Sequence, residues 1–159
     1  MDTTEFFARL VAVNWVEREH KKRTAVAAQA EPLFTEVCLA IKNSVESFNR
    51  LYRASPLEPV QYTPMARAMT VSLLLPLRGI PGTVEQRRHV RVLIGQTEAN
   101  DRIHCVFENC QIDLKPVAIL FQLGDDGKVF LEHEGKKLAD ADAASEAILA
   151  KFFRNLEKL

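Results

Sequence analysis

The sequence predicts a single α+β domain in which helices at both ends flank an antiparallel sheet of about five strands. Apolar residues recur every three or four positions in residues 1–54 and again in residues 140–159, which is the helical period. Between residues 65 and 134 they alternate one by one, which is the strand period. No long helical segment separates the strands, so an antiparallel meander is expected, with the helices packed on one of its faces.

The first predicted helix begins near the N-terminus and carries a broad apolar stripe. Asp2 and Glu5 have the spacing of a capping box, although Thr3 or Thr4 are alternative caps. The apolar positions that follow are Phe6, Phe7, Leu10, Val11, Val13 and Trp15. A stripe of this width is typical of a helix with more than one neighbour. The strongly charged segment Glu17–Arg23 then indicates a solvated helix end or a turn.

A second predicted helix has a regular spacing of three and four residues. Its apolar positions are Leu33, Val37, Ile41, Val45, Phe48 and Tyr52. Pro32 fits the first turn of this helix, where its missing amide hydrogen has no cost. If the alanine-rich segment 25–30 is helical as well, this helix is longer and bends at Pro32. Ser55–Pro56 ends it, and Pro59 and Pro64 predict an extended, irregular segment.

Five strands are predicted from alternating patterns, followed by the last helix. The segments are 67–75, 89–94, 102–108, 117–123 and 128–134. Gly124–Gly127 has the composition of a hairpin turn between the last two strands. The alternation changes parity after Phe107, so Asn109 marks either a bulge or a turn. Asp140 or Asp142 can cap the last helix, whose apolar line contains Ile148, Phe152 and Leu156.

Composition and charge exclude several classes of protein. The chain has 159 residues, 47% hydrophobic, which is enough for one domain with a substantial core. Basic and acidic residues number 21 each, and this balance disfavours nucleic acid as a partner. No apolar run is long enough for a membrane span, and the N-terminus lacks the pattern of a secretion signal. The odd number of cysteines, three, favours a reducing compartment, and we expect a cytoplasmic protein.

No motif in the sequence points to an enzyme, a cofactor or a metal ion. The serine nucleophile turn, the phosphate-binding loop and closely spaced cysteine or histidine pairs are all missing. His104 and Cys105 are neighbours on a strand, so their side chains point to opposite faces and do not share an ion. His89, His104 and His133 fit one face of the sheet, where solvated histidines are the simplest interpretation. The cysteines are interpreted as small buried apolar residues.

The remaining candidate is apolar surface on the N-terminal helices. We expect a non-catalytic module that binds a second copy of itself, or another protein, with Phe7 and Trp15 as anchors. The alternative is a carrier or sensor of a small apolar or acidic ligand, with a cavity between the sheet and the helices. Arg91, His104 and His133 are then the candidate residues on the rim of that cavity.

Overall fold

The computed structural model shows a long helix, a meander sheet and a second helix. It describes residues 2–51, 59–76, 87–97, 101–110 and 114–157, without the side chains at 10–12, 74–76, 87–89 and 155–157. The elements are α1 (Thr3–Leu51), β1 (Gln61–Met65), β2 (Ala68–Pro76), β3 (Arg87–Gln96), β4 (Arg102–Glu108), β5 (Val117–Leu123), β6 (Val129–His133), β7 (Lys136–Lys137) and α2 (Ala141–Glu157). The α+β class is therefore confirmed.

The two helices predicted at the N-terminus are one continuous helix of 49 residues. Pro32 lies inside this helix, where the missing amide hydrogen costs about 3 kcal/mol. Ala30 before it and Phe34 after it are both buried in the same core. Burial on both sides of the proline keeps the helix continuous in spite of that cost. Ser55–Pro56, where the sequence predicts the end of the helix, lies outside the described residues.

The five predicted strands are confirmed, and two more extend the sheet at its edges. Within the described residues, the seven strands are paired in chain order and every pair is antiparallel. The first addition, β1, contains Pro64, which the sequence assigned to irregular chain. Proline is tolerated there because β1 is an edge strand, with one side free of ladder hydrogen bonds. The second addition, β7, has only two residues.

The core lies between one face of the sheet and the two helices. Alternate strand residues point into it, as the sequence predicts. Those that are buried include Met69, Val71, Leu73, Val90, Val92, Ile94, Ile103, Cys105, Ile119, Phe121, Val129 and Leu131. The helices contribute Val37, Ile41, Val45, Ile148, Leu149 and Phe152 to the same cluster. The opposite face of the sheet, named the outer face below, has no helix on it among the described residues.

Helix α2 packs against the C-terminal part of α1. The rings of Phe48 and Phe153 stack with centroids 4.4 Å apart. Asp140 caps α2, because its Oδ1 accepts a hydrogen bond of 2.9 Å from the backbone N–H of Ala143. This bond confirms one of the two predicted caps and fixes where the last helix begins.

Asn109 directly follows β4, and the pairing of β4 with β3 runs up to Glu108 without a bulge. The backbone of Asn109 is left-handed, with φ of 59°, and β4 ends at Glu108. Asparagine adopts this conformation more readily than most residues. The next described strand, β5, begins at Val117, and its buried residues Ile119 and Phe121 have the same odd parity as Ile103 and Cys105 of β4.

Candidate functional site

The first half of α1 extends beyond the folded body. Val26 is the first residue of α1 that is buried in the core. We name the segment Asp2–Thr24 the N-terminal arm; its described side chains are exposed, except for the partly exposed Glu19. At about 1.5 Å per residue, these 23 positions extend about 34 Å. The arm is therefore a helix without a packing partner among the described residues.

The arm carries large apolar side chains that face solvent. Phe7 is 57% exposed and Trp15 is 59% exposed, and these are the two anchors that the sequence predicts. Phe6, Val13 and Val16 are exposed to a similar extent, and the rings of Phe6 and Phe7 lie 6.0 Å apart. Five large exposed apolar side chains within eleven residues of one helix are more informative than single ones, which are common on protein surfaces.

The sequence did not identify Phe6, Val13 and Val16 as candidate surface residues. Phe6 and Val13 belong to the predicted apolar stripe, but periodicity does not reveal whether a stripe is covered by the same chain. Val16 is followed by the charged segment that starts at Glu17, and this position is where the apolar surface ends.

Charge is unevenly distributed along the arm. Its first turns hold Asp2 and Glu5, and Glu5 forms an ion pair of 3.0 Å with Arg9. Asp2 also caps the helix, because its Oδ1 accepts the backbone N–H of Thr4 at 3.4 Å. Its last turns hold the basic run of His20–Arg23. The arm thus has an acidic tip and a basic root, separated by the aromatic residues.

The root of the arm borders a polar cleft of about 260 Å³. Lys22 and Arg23 of the arm face Asp101 and Arg102 across it. The pKa of Asp101 is lowered overall. Partial burial alone would raise it, but the carboxylate accepts hydrogen bonds from the Thr97 hydroxyl and from Arg102, and the positive charge of Arg102 lowers the pKa further. The Thr97–Asp101 bond is 2.8 Å long. Asp101 is therefore a fixed anion beside the basic root.

Two of the predicted rim residues, Arg91 and His104, lie on the outer face. Arg91 on β3 is paired in register with Glu108 on β4, and its Nε donates to the Glu108 carboxylate. His104 is exposed and lies between Gly95 and Ala118 in the register. It borders a shallow depression of about 360 Å³ whose other lining residues include Met65, Leu93 and Val106. Arg91 is therefore engaged in an ion pair, whereas His104 faces solvent.

The third predicted rim residue, His133, lies on the other side of the sheet. It follows the buried Leu131 by two positions on β6, so its side chain is on the helix-covered face. Its Nε2 lies 4.0 Å from the Glu134 carboxylate. The interpretation that His104 and His133 share a face is therefore wrong. The side chain of His89 lies outside the described ones.

The interface between the helices and the sheet is filled by side chains. Ile41, Leu73, Ile94 and Phe152 are at most 1% exposed there. The arm surface, the root cleft and the outer face hold three depressions that described residues line. Of these three, the root cleft lies between α1 and the strands β4 and β5, at the margin of the packed core.

The cysteines belong to the packed part of the structure, as the sequence predicts. Burial raises the pKa of the Cys38 thiol to about 11. Burial, with a smaller effect from Cys38, raises the pKa of the Cys105 thiol to about 12. The Cys110 thiol donates to the Glu108 carbonyl at 3.8 Å. Because the thiolate is the reactive form, Cys38 and Cys105 are poor nucleophiles at neutral pH.

The described part of the chain contains neither a membrane-spanning helix nor a cluster of metal ligands. Over their described residues, neither α1 nor α2 contains an apolar run that would span a lipid bilayer. In the part of the chain that the structure describes, no three His, Cys, Asp or Glu side chains are grouped to hold a metal ion. No protein-family model, curated protein or solved structure matches the chain.

Proposed function

We propose that this protein is a non-catalytic interaction module that forms a homodimer through its N-terminal arm. The observation that carries the proposal is the exposure of Phe7 and Trp15 on a helix that extends beyond the core. Aromatic residues dominate the binding energy of many interfaces, because they bury a large area with few rotatable bonds. A second copy supplies the same apolar surface, so the arm is complementary to itself.

The proposed module acts in a reducing compartment such as the cytoplasm. Cys38 and Cys105 are free thiols, and this supports the assignment. The balance of 21 basic and 21 acidic residues gives no strong field for a polyanion, so protein surface is the partner we propose.

Size-exclusion chromatography with light scattering tests the proposal. At tens of micromolar, the wild-type protein is expected at twice the chain mass of 18.0 kDa. Replacing Phe7 and Trp15 together by glutamate is expected to give the monomer mass, because charge then replaces the apolar anchors. Leu39→Glu is the matched control, since Leu39 is equally exposed but lies on the docked half of α1. A wild-type monomer, or a loss of dimer in the control alone, contradicts the proposal.

The second candidate function is a carrier or sensor of a small apolar or acidic ligand. The outer-face depression beside His104 favours it, because its lining of apolar residues with a few polar groups (Thr70, Gln96, Thr97 and His104) is typical of ligand sites. Arg91 does not serve this depression because it is paired with Glu108, and His133 does not because it lies on the opposite, helix-covered face of the sheet. Thermal unfolding with fatty acids, nucleotides and aromatic acids tests this function. A ligand at 100 times its Kd adds about 2.7 kcal/mol, and no shift with any class contradicts it.

A further inference from the structure

The two ends of the N-terminal arm carry opposite charge, and this property bears on how two arms pair. The tip holds Asp2 and Glu5 with Arg9, a net side-chain charge of −1. The root holds Arg18, Lys21, Lys22 and Arg23 with Glu17 and Glu19, a net side-chain charge of +2. In a parallel pair, each end meets an identical end, so like charges face each other at the root. In an antiparallel pair, the acidic tip of each copy meets the basic root of the other.

From this charge pattern we infer that the partner of the arm is a second copy in antiparallel orientation. The inference rests on the proposed dimer and adds the orientation of its two copies. Like charges juxtaposed at an interface are unfavourable, whereas complementary charges fix orientation and register. The effect is symmetric, because each copy contributes one tip and one root to the dimer.

The exposed aromatic residues support the same arrangement. Phe7 and Trp15 are eight residues apart, and their midpoint is residue 11. An antiparallel pair that crosses at this midpoint brings Phe7 of each copy beside Trp15 of the other. The same crossing brings Asp2 of each copy to the level of His20 of the other. This register brings the aromatic residues together and places the basic root beside the acidic tip, whereas Glu5 of each copy lies at the level of Glu17 of the other.

The folded bodies also fit this orientation. Val26, the first core residue of α1, is 15 positions from the crossing point. At about 1.5 Å per residue, the two Val26 residues of an antiparallel dimer are about 45 Å apart along the axis. In a parallel pair they lie side by side at the usual distance of about 8–10 Å between helices. Only the antiparallel pair leaves the sheets and α2 helices well separated.

Charge variants at the root distinguish the two orientations. Lys21 and Lys22 are replaced together by glutamine and, in a second variant, by glutamate. Both side chains are exposed, and all three residue types form helices well, so the fold is retained and circular dichroism checks this. The control is Lys136→Glu with Lys137→Glu, which makes the same charge change on exposed residues of β7, away from the arm. Sedimentation equilibrium measures the dimer dissociation constant of each protein.

For an antiparallel dimer, the dissociation constant is expected to rise in the glutamine variant and to rise further, by about tenfold or more over wild type, in the glutamate variant. The β7 control is expected to have the dissociation constant of the wild type. Unchanged or tighter dimers in the glutamine and glutamate variants contradict the inference, because relief of repulsion at the root is the signature of a parallel pair. In that case the proposed dimer remains and only its orientation is wrong. A wild-type protein that stays monomeric contradicts both the proposed function and this inference.

Discussion

Gln29 and Asn49 lie twenty residues apart on α1, and the side-chain amide of each forms two hydrogen bonds with backbone atoms of residues in or next to the sheet. Gln29 donates to the Gly127 carbonyl at 3.0 Å and accepts the Val129 N–H at 2.8 Å. Asn49 donates to the Val60 carbonyl and accepts the Val60 N–H, both at 2.8 Å. These two amides fix the position of α1 along the sheet. They also mark the docked half of the helix, whose first core residue, Val26, comes two positions after the end of the arm.

Asn49→Asp tests this attachment with a minimal change of shape. The carboxylate still accepts the Val60 N–H, but an acceptor now faces the Val60 carbonyl, whose hydrogen bond is lost. We expect the free energy of unfolding to fall by about 1–3 kcal/mol, measured by urea denaturation. Asn43→Asp is the control, because Asn43 is exposed on the same helix, and it is expected to change stability by less than about 0.5 kcal/mol. Equal effects of the two variants would exclude the attachment.

The contact between Ser44 and Ser145 predicts an asymmetric response to alanine. The two hydroxyls are 2.9 Å apart, and Ser44 also donates to the Ala40 carbonyl. Ser145 is therefore the donor between them, and it is 1% exposed. Ser44→Ala removes the acceptor of this buried hydroxyl and is expected to cost about 1–3 kcal/mol. Ser145→Ala leaves Ser44 bonded to Ala40, so denaturation is expected to show a smaller loss. The opposite order would mean that the donor is assigned wrongly.

The buried thiol of Cys105 predicts a pH dependence of stability. Its pKa is raised to about 12 by burial in the folded state, against an ordinary value of about 8.5 in an unfolded chain. Above about pH 9, the unfolded state therefore binds fewer protons than the folded state, and stability falls as the pH rises. The contribution approaches about 1.4 kcal/mol per pH unit up to about pH 12.

Cys105→Ala isolates this contribution, because lysine and tyrosine titration is common to both proteins. Urea denaturation between pH 8 and about pH 11 is expected to show a shallower decline in the variant than in the wild type. Identical slopes would show that the thiol ionises normally in the folded state.

Because Pro32 lies inside α1, we expect that replacing it with a better helix former stabilises the protein. Pro32 is exposed, so Pro32→Ala creates no cavity and restores a backbone hydrogen bond in the middle of α1. We expect a gain of about 2 kcal/mol, since alanine also gives the unfolded chain more freedom, which offsets part of the benefit. Thermal unfolding measures the change. A loss of stability would indicate that the backbone geometry imposed by Pro32 is needed for packing.

The alternating strands and the last helix could be predicted because burial and periodicity agree in them. Val90, Val92 and Ile94 alternate in sequence and are buried in the structure. The edge strands were missed for a physical reason, since an edge strand has few buried residues. Tyr62 is the one residue of β1 that is partly buried, and Pro64 interrupts the alternating pattern expected of a strand. The continuity of α1 could not be predicted, because the charged segment Glu17–Arg23 and Pro32 both have the local character of a helix end, and the tertiary packing that overrides them is not visible in the sequence.

The candidate surface was predicted only in part. Phe7 and Trp15 could be named because aromatic residues on a helix are notable wherever they point. The sequence could not show that the arm extends past the sheet, because this depends on where the core of α1 begins, at Val26. The sequence also could not show which face of the sheet each candidate ligand-binding residue occupies. The faces of His104 and His133 depend on the register of strands that are distant in sequence.

The fluorescence of Trp15 tests the central claim most directly, because it is the single tryptophan of the chain and belongs to the proposed interface. Its emission maximum and its quenching by acrylamide are measured as the protein is diluted from tens of micromolar. We expect shielded, blue-shifted emission at high concentration and a shift towards exposed emission on dilution, together with the loss of dimer mass. Emission of an exposed tryptophan at every concentration, with a constant monomer mass, would contradict the account.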